Sequence, residues 1–582
     1  MTSLRADPCR VWVIFGAQRY LRQLESGLGD LLSNSGKLAH RKPQGANMKT
    51  QDPMFMTKLA DAARDGKISR RSFINYSIAA GISASAATGL WGTSAKAEPK
   101  RGGKFRIAQH DGNSSDQHDP GQYVSFADIA LAHTFRAYLT QINPDQSLGG
   151  DVASEWSATP DATEWTFKLN PNATFHSGKK VTAADVVASL NHHRGKDTTS
   201  AVAAFFTDVT DIVDNGDHSI TIKLAAANAD LPWIMPDYHL AICPANEDGT
   251  LNWQSGDGCG PYKLVKFDPG VQSQLVRHDE WHGEGAYFDE VEFLIINDPN
   301  ARQTALVTGD VDAVSLLENK TLSLMARVPN IEVDNVSSAQ AITLAMHVDA
   351  KPFDNPDVRM ALKLAINREE IIDKITFGAA TIGNDFHHAP TMPYFPSEIP
   401  QRKYDPDQAA ALWKKTGLGN QPISVSTADS ITTGAVDAMV LYAEHAKAAG
   451  INLNVVREPN DGYWSDVWLK KPFCMVTWGA RPTPDVMYSL TYKKGAPWNE
   501  THWENPRFNE VLLMAKSELD DTKRAGMYHE MGMLMRDDGG TVLPYFPNFV
   551  FGRRKNVRHS GQLAASWAMD GGRAASRWWF DG

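Results

Sequence analysis

Cysteine is scarce in this 582-residue chain: there are four, Cys9, Cys243, Cys259 and Cys474. None lies in a Cys-x-x-Cys pair or stands with histidine at metal spacing, so the sequence offers no zinc finger, iron–sulfur or haem attachment motif. His192 and His193 are neighbours on an expected helix and point to different faces, so they do not form a metal pair. A nucleophile elbow, an HExxH helix and a GxGxxG turn after a strand are also missing, which removes the usual supports for an enzyme reading. Long hydrophobic runs are missing too. The most apolar stretch, Phe73 to Thr93, has only Phe73, Ile74, Tyr76, Ile78, Ile82, Leu90 and Trp91 as strongly apolar residues, against the roughly 20 that span a bilayer.

That stretch reads instead as an export address. SRRSFINYSIAAGISASAATGLWGTSAKA (69–97) has a positive start (Arg70, Arg71), a moderately apolar middle and a small-x-small end at Ala95-Lys96-Ala97. Ser69-Arg70-Arg71-Ser72-Phe73-Ile74 resembles the twin-arginine signal. The weak apolarity and Lys96 near the cut suit that route, with cleavage near Ala97 and a periplasmic product. No cysteine sits near the cut, which argues against a lipid anchor. Met48, Met54 and Met56 are candidate starts for such a leader. The segment 1–47 reads as a spurious or disordered extension, and 48–97 as the signal region.

Removing 97 residues leaves 485, enough for two or three domains. The segment removed carries a net +8, so the remainder is near −18. That balance disfavours nucleic acid and anionic lipid as partners and suits a monomer in solution. Sixteen tryptophans stand in the chain, most of them attributable to large cores and some available to grip a ligand. Cys243 and Cys259 flank the polar loop PANEDGTLNWQSGDG. In an oxidising compartment a bridge between them could staple the loop, worth about 3 kcal/mol. Cys474 is expected to be a buried thiol.

The patterning alternates between strand and helix. Gly103–Ala108, Trp165–Leu169, Ser219–Leu224 (SITIKL) and Tyr262–Phe267 (YKLVKF) read as strands. A helix is expected over 122–139. Thr182 with Asp185 caps a helix whose apolar face is Val186, Val187 and Leu190. Gly309 stops a helix in NARQTALVTGDVDAV, and Asn367 with Glu370 opens the second of two short helices in DNPDVRMALKLAINREEIIDKITFG. Asn505 and Pro506 open another. Met527, Met531 and Leu534 read as core. The class is α/β with mixed sheets.

Six segments, in this order, carry a resemblance. They are GGKFRIA; DVASEWSATPDATEWTFKLNPNATFHSGKKVTAADVVASL; GCGPYKLVKFDPG, with Cys259 where Thr is usual; FDNPDVRMALKLAINREEII; NPRFNEVLLMA; and DDGGTVLPYFPNFV. Together the chain resembles the extracytoplasmic solute-binding proteins of family 5, the peptide, opine and nickel receptors of ABC importers. The resemblance implies a two-lobe fold of the periplasmic-binding-protein type II kind, with a two-strand hinge. Lobe one would be 99–344 plus 544–582, and lobe two 345–543, with crossings in AITLAMHVDA and TVLPYFPNFV.

It also implies no chemistry and no cofactor. The expected partners are a peptide or peptide-like solute held between the lobes and a membrane permease. In peptide-binding members the segment equivalent to FCMVTWGARPTPDVMYSLTYKKGAPWNETHW (473–503) has a Trp and, three residues on, an Asp for the peptide's amino group. Here Trp478 is followed by Gly479 and then, at the acidic position, by Arg481. A fixed cation favours a carboxylate or another anion, unless Arg481 forms a structural bridge to Asp485 or another acid. Asp485 is the alternative amine partner. Trp498, and Asp385 and His387 after Gly383, are further candidate ligand contacts, as is His110 after the first strand. The departure at Arg481 raises a second reading, an opine, nickel chelate or amino sugar in place of a peptide. An exported enzyme is the remote alternative.

Overall fold

The computed structural model describes residues 99–581. The twin-arginine segment, its cleavage point, the 1–47 extension and Cys9 lie outside the described residues.

The strand expected at the start forms as Lys104–Gln109 and lies inside a seven-stranded mixed sheet. From edge to edge its order is Ile331–Val336, Phe549–Arg554, Ala313–Val314, Lys104–Gln109, Glu290–Ile295, Gln272–Arg277 and Tyr262–Asp268. A four-stranded antiparallel sheet, Ala153–Ala158, Glu164–Leu169, Ser219–Leu224 and Val209–Asp214, adds a second core to the same half of the molecule. Its inward residues Phe167, Ile220 and Ile222 pack with Val186 and Leu190 of the helix Ala183–Asn191. Thr182 and Asp185 close that helix with a reciprocal capping box, as their spacing predicts.

The glycines of GCGPY have a backbone reason. A Cβ on Gly258 would meet Phe135 O at 1.9 Å, and one on Gly260 would meet Arg136 O at 2.5 Å. The loop can therefore run against the end of the helix Phe126–Phe135 only without side chains there. That helix is shorter at both ends than the 122–139 span expected.

The other half is built on a six-stranded sheet ordered Ala380–Ile382, Thr541–Pro547, Ala341–Met346, Phe473–Trp478, Ile423–Thr427 and Leu453–Arg457. Ala341–Met346 (AITLAM) is buried at every position. This is what a continuous apolar run gives when both faces of a strand are covered. The chain passes from the first sheet to the second between Val336 and Ala341, and returns between Pro547 and Phe549. Both strand stretches anticipated as crossings are thus at the junction. The polypeptide changes sheets a few residues before 345, at 337–340, and after 544, at Asn548.

The lobes also touch away from the chain crossings, through residues 229–230 and 516–524. Arg524 pairs with Asp230, both almost fully buried, and Ala229 N donates to Lys516 O at 2.8 Å. Two expectations are corrected here. Cys243 and Cys259 are free buried thiols, not a bridge. Each faces different surroundings: Cys243 packs with Ala188 and Leu251, whereas Cys259 joins the core of the four-stranded sheet. Asp385 does not face a ligand. It is fully buried, with Oδ1 accepting from Arg368 (2.6 Å) and Leu543 N (3.0 Å), and Oδ2 from Arg402 (2.8 Å). The two guanidinium charges offset the burial and hold its carboxyl below the usual range.

Removing this carboxylate strands two buried cations. Asp385→Ala should lower unfolding free energy by about 3–5 kcal/mol, read by denaturant titration. A loss below about 1 kcal/mol would contradict its role as the ionic hub of this lobe.

Candidate functional site

A cleft opens between the two halves near the first crossing. It holds about 720 Å³ of space not filled by atoms, part of it open to solvent. One wall carries His133, Trp233, Asp237, Trp567 and Arg573, and the other Met392, Ala480 and Arg481; Ala339 of the crossing also lines it.

Arg481 comes from the loop between the strand Phe473–Trp478 and the helix Pro484–Thr491. Thr483 caps the helix and Pro484 takes its first position, so the chain turns out of the sheet at 479–482 and presents Arg481 to the cleft. Among the described residues the guanidinium makes only local hydrogen bonds: Nη1 donates to Ala480 O at 3.1 Å and Gly479 O at 3.4 Å. No carboxylate lies within salt-bridge distance of it among the described residues. Burial disfavours its charge, while Asp237 and Tyr238 across the cleft favour it. The structural bridge to Asp485 does not form. Asp485 is buried at the foot of the next helix and pairs with Lys516 at 2.8 Å. It is therefore unavailable as a partner for a ligand amine.

Asp237 supplies the opposite sign. Its Oδ1 accepts from His239 N (3.0 Å) and faces His239 Nδ1 (2.6 Å). Oδ2 has no protein partner among the described residues. Arg573 lines the same wall, bound to Asp151 at 3.2 Å and set over the Tyr138 ring. His133 is buried, and neither ring nitrogen has a partner among the described residues. Cleft charge is thus positive on one lobe and mixed on the other.

The remaining expected contacts are distributed differently. Trp478 is buried, and its indole N–H donates to both oxygens of Glu500 at 3.2 Å. Thr343 Oγ1 and Trp468 Nε1 also donate to Glu500, whose carboxyl burial pushes up. Trp498 is 38% exposed and packs at 6.0 Å from both Trp468 and Trp478. Gly479 is exposed beside Arg481. His387 is fully buried near Trp478, close enough to feel the Arg481 charge, but does not line the cleft. His110 is half-buried, packs against the Phe126 ring at 4.7 Å and bonds Ser315 Oγ at 2.8 Å. Of the residues singled out from sequence, Arg481 alone lines the cleft. The lining residues Asp237, His133 and Arg573 were missed, because they come from three segments with no shared motif.

Comparison with known proteins gives the family and the fold. Residues 147–500, well over half of the chain, match the bacterial extracellular solute-binding proteins, family 5. The chain belongs to that family, whose members bind a ligand as receptors. It is 23% identical over 474 residues to the probable D,D-dipeptide-binding periplasmic protein of Escherichia coli, covering 76% of this chain and 88% of that one. Among solved structures, a Helicobacter pylori periplasmic binding protein in complex with the peptide STSA superimposes with a TM-score of 0.64 at 20% identity, covering 83% of this chain and 99% of that one. A binding protein from A. tumefaciens R10 in complex with agropinic acid gives 0.64 at 18% identity, covering 82% and 99%. The fold is therefore the two-lobe periplasmic-binding-protein architecture. No helix among the described residues is long and apolar enough to cross a membrane.

Histidine burial near the cleft has a pH consequence. Burial pushes His387 down to about 3, His388 to about 4, and His133 well below its ordinary value. The unfolded chain, with histidine near 6.5, then binds more protons than the folded one between these limits. Stability is complete above about pH 6.5 and should fall as pH drops toward 4. A melting temperature unchanged between pH 7 and pH 5 would contradict this.

Proposed function

We propose that the chain is the extracytoplasmic receptor of an ABC importer, enclosing a peptide or peptide-like solute that carries a carboxylate and passing it to a membrane permease. One observation carries the ligand class: Arg481 stands in the inter-lobe cleft, largely out of water, with no counter-ion among the described residues. A charged guanidinium so placed gains most from a carboxylate held by its fork of donors. Asp237, on the opposing wall with a free oxygen, suits the ammonium of the same solute. A zwitterion spanning the two would bridge both lobes, and so favour closure by its differential affinity for the closed form.

The second reading is an anionic non-peptide conjugate such as an opine. It rests on the same arginine and on the absence from the cleft of an acid at the position where peptide-binding members hold the amino terminus. Nothing in either reading calls for bond making or breaking, so the proposed role is capture without catalysis. Export follows the twin-arginine route in this proposal, with cleavage near Ala97.

Screening dipeptides, opines and nickel chelates by thermal shift tests the ligand class. At a hundredfold excess over the dissociation constant, a true ligand adds about 2.7 kcal/mol. Arg481→Ala should weaken that ligand by about 2 kcal/mol or more, roughly 30-fold, with no fall in the unliganded melting temperature. A carboxylate ligand bound equally well by Arg481→Ala would overturn the assignment. The route has its own test: replacing Arg70 and Arg71 together by Lys should retain the precursor in the cytoplasm, and normal export would contradict it.

A further inference from the structure

We propose that His347, Asp349 and His502 form a second site, at the outer end of lobe two, that binds a divalent transition-metal ion of the zinc, nickel or copper type. One ligand atom from each of the three lies within 4.8 Å of the others. His347 directly follows the buried strand Ala341–Met346, whose other end leaves the crossing beside Ala339. Six strand residues separate it from the cleft end by about 20 Å, so the site is distinct from the solute cleft.

The backbone brings the ligands together before any metal arrives. Val348 N donates to Thr501 O at 2.8 Å, stitching the 347–350 turn to the loop that carries His502, and His347 N donates to Pro472 O at 2.9 Å. The His347 and His502 rings lie face to face, 4.0 Å apart and 25° from parallel. His502 Nδ1 faces the Asp349 carboxylate at 2.9 and 3.1 Å.

An independent observation points to a ligand. His347 is 6% exposed, and its Nε2 is buried without a hydrogen-bond partner among the described residues. A buried imidazole nitrogen left open is costly unless something binds it. His502 and Asp349 are exposed, so their side chains can swing by the ångström or so that coordination at about 2.0–2.2 Å needs. Two imidazoles and one carboxylate suit borderline cations rather than calcium or magnesium, and leave a fourth position to water.

The test is calorimetric titration of the purified chain, leader removed, with zinc chloride and nickel chloride, alongside the visible absorption of bound cobalt(II). One saturable equivalent is expected. His502→Ala and Asp349→Asn should each weaken it at least about tenfold while leaving the metal-free melting temperature unchanged, since both side chains are exposed. His347→Gln should abolish it, and if that variant does not fold the other two decide. Arg481→Ala should leave metal binding intact, which separates this site from the cleft. Absence of a stoichiometric site, or one indifferent to His502→Ala and Asp349→Asn, would overturn the proposal.

Discussion

A cation withdrawn from water with no anion beside it is an unstable arrangement, and the cleft is organised around one. Elsewhere in the two lobes, buried Arg136 and Arg302 are held by backbone carbonyls of other segments, and further buried arginines have their charge answered by a carboxylate. Arg368 and Arg402 share Asp385, Arg524 has Asp230, and Arg573 has Asp151. Arg481 has carbonyl oxygens of its own loop and, among the described residues, nothing more. The fold holds it there through the helix cap at Thr483 and the strand end at Trp478. The neighbouring acid that could have relaxed it, Asp485, is committed to Lys516.

The rest of the architecture serves that position. Two short crossings, 337–340 and Asn548, are the covalent links between the sheets, so the halves can move about them with little disturbance to either core. The halves also meet through the Asp230–Arg524 pair and the Ala229–Lys516 hydrogen bond. Both of these are polar contacts that water can replace on opening. A ligand touching Arg481 on one wall and Asp237 on the other adds its own bridge to that closed arrangement.

Much of this was legible in the sequence, unevenly. Caps at Thr182, Gly309, Asn367 and Asn505 are local signals, and each stands at its helix end. The two crossing strands could be found because a strand covered on both faces reads as an unbroken apolar run. Arg481 could be found because it replaces an acid that the family pattern leads one to expect. Asp385 could not be told from a cleft residue: its partners Arg368 and Arg402 each lie 17 residues away, and nothing local marks a buried ionic hub. Trp478 is similarly ambiguous until the fold brings Glu500, 22 residues on, to accept its N–H. The opposing wall was invisible, since His133, Asp237 and Arg573 meet only through the tertiary fold. The Cys243–Cys259 bridge failed for a related reason, since sequence proximity across a loop does not determine which core each thiol enters.

The most direct test of the central claim is a crystal structure of the protein with its solute bound. The account predicts an anionic group of the solute within hydrogen-bond distance of the Arg481 guanidinium, with the same solute touching the wall that carries Asp237. A solute bound with a neutral group against Arg481, or an Arg481 that turns to a protein carboxylate when the cleft is filled, would contradict it.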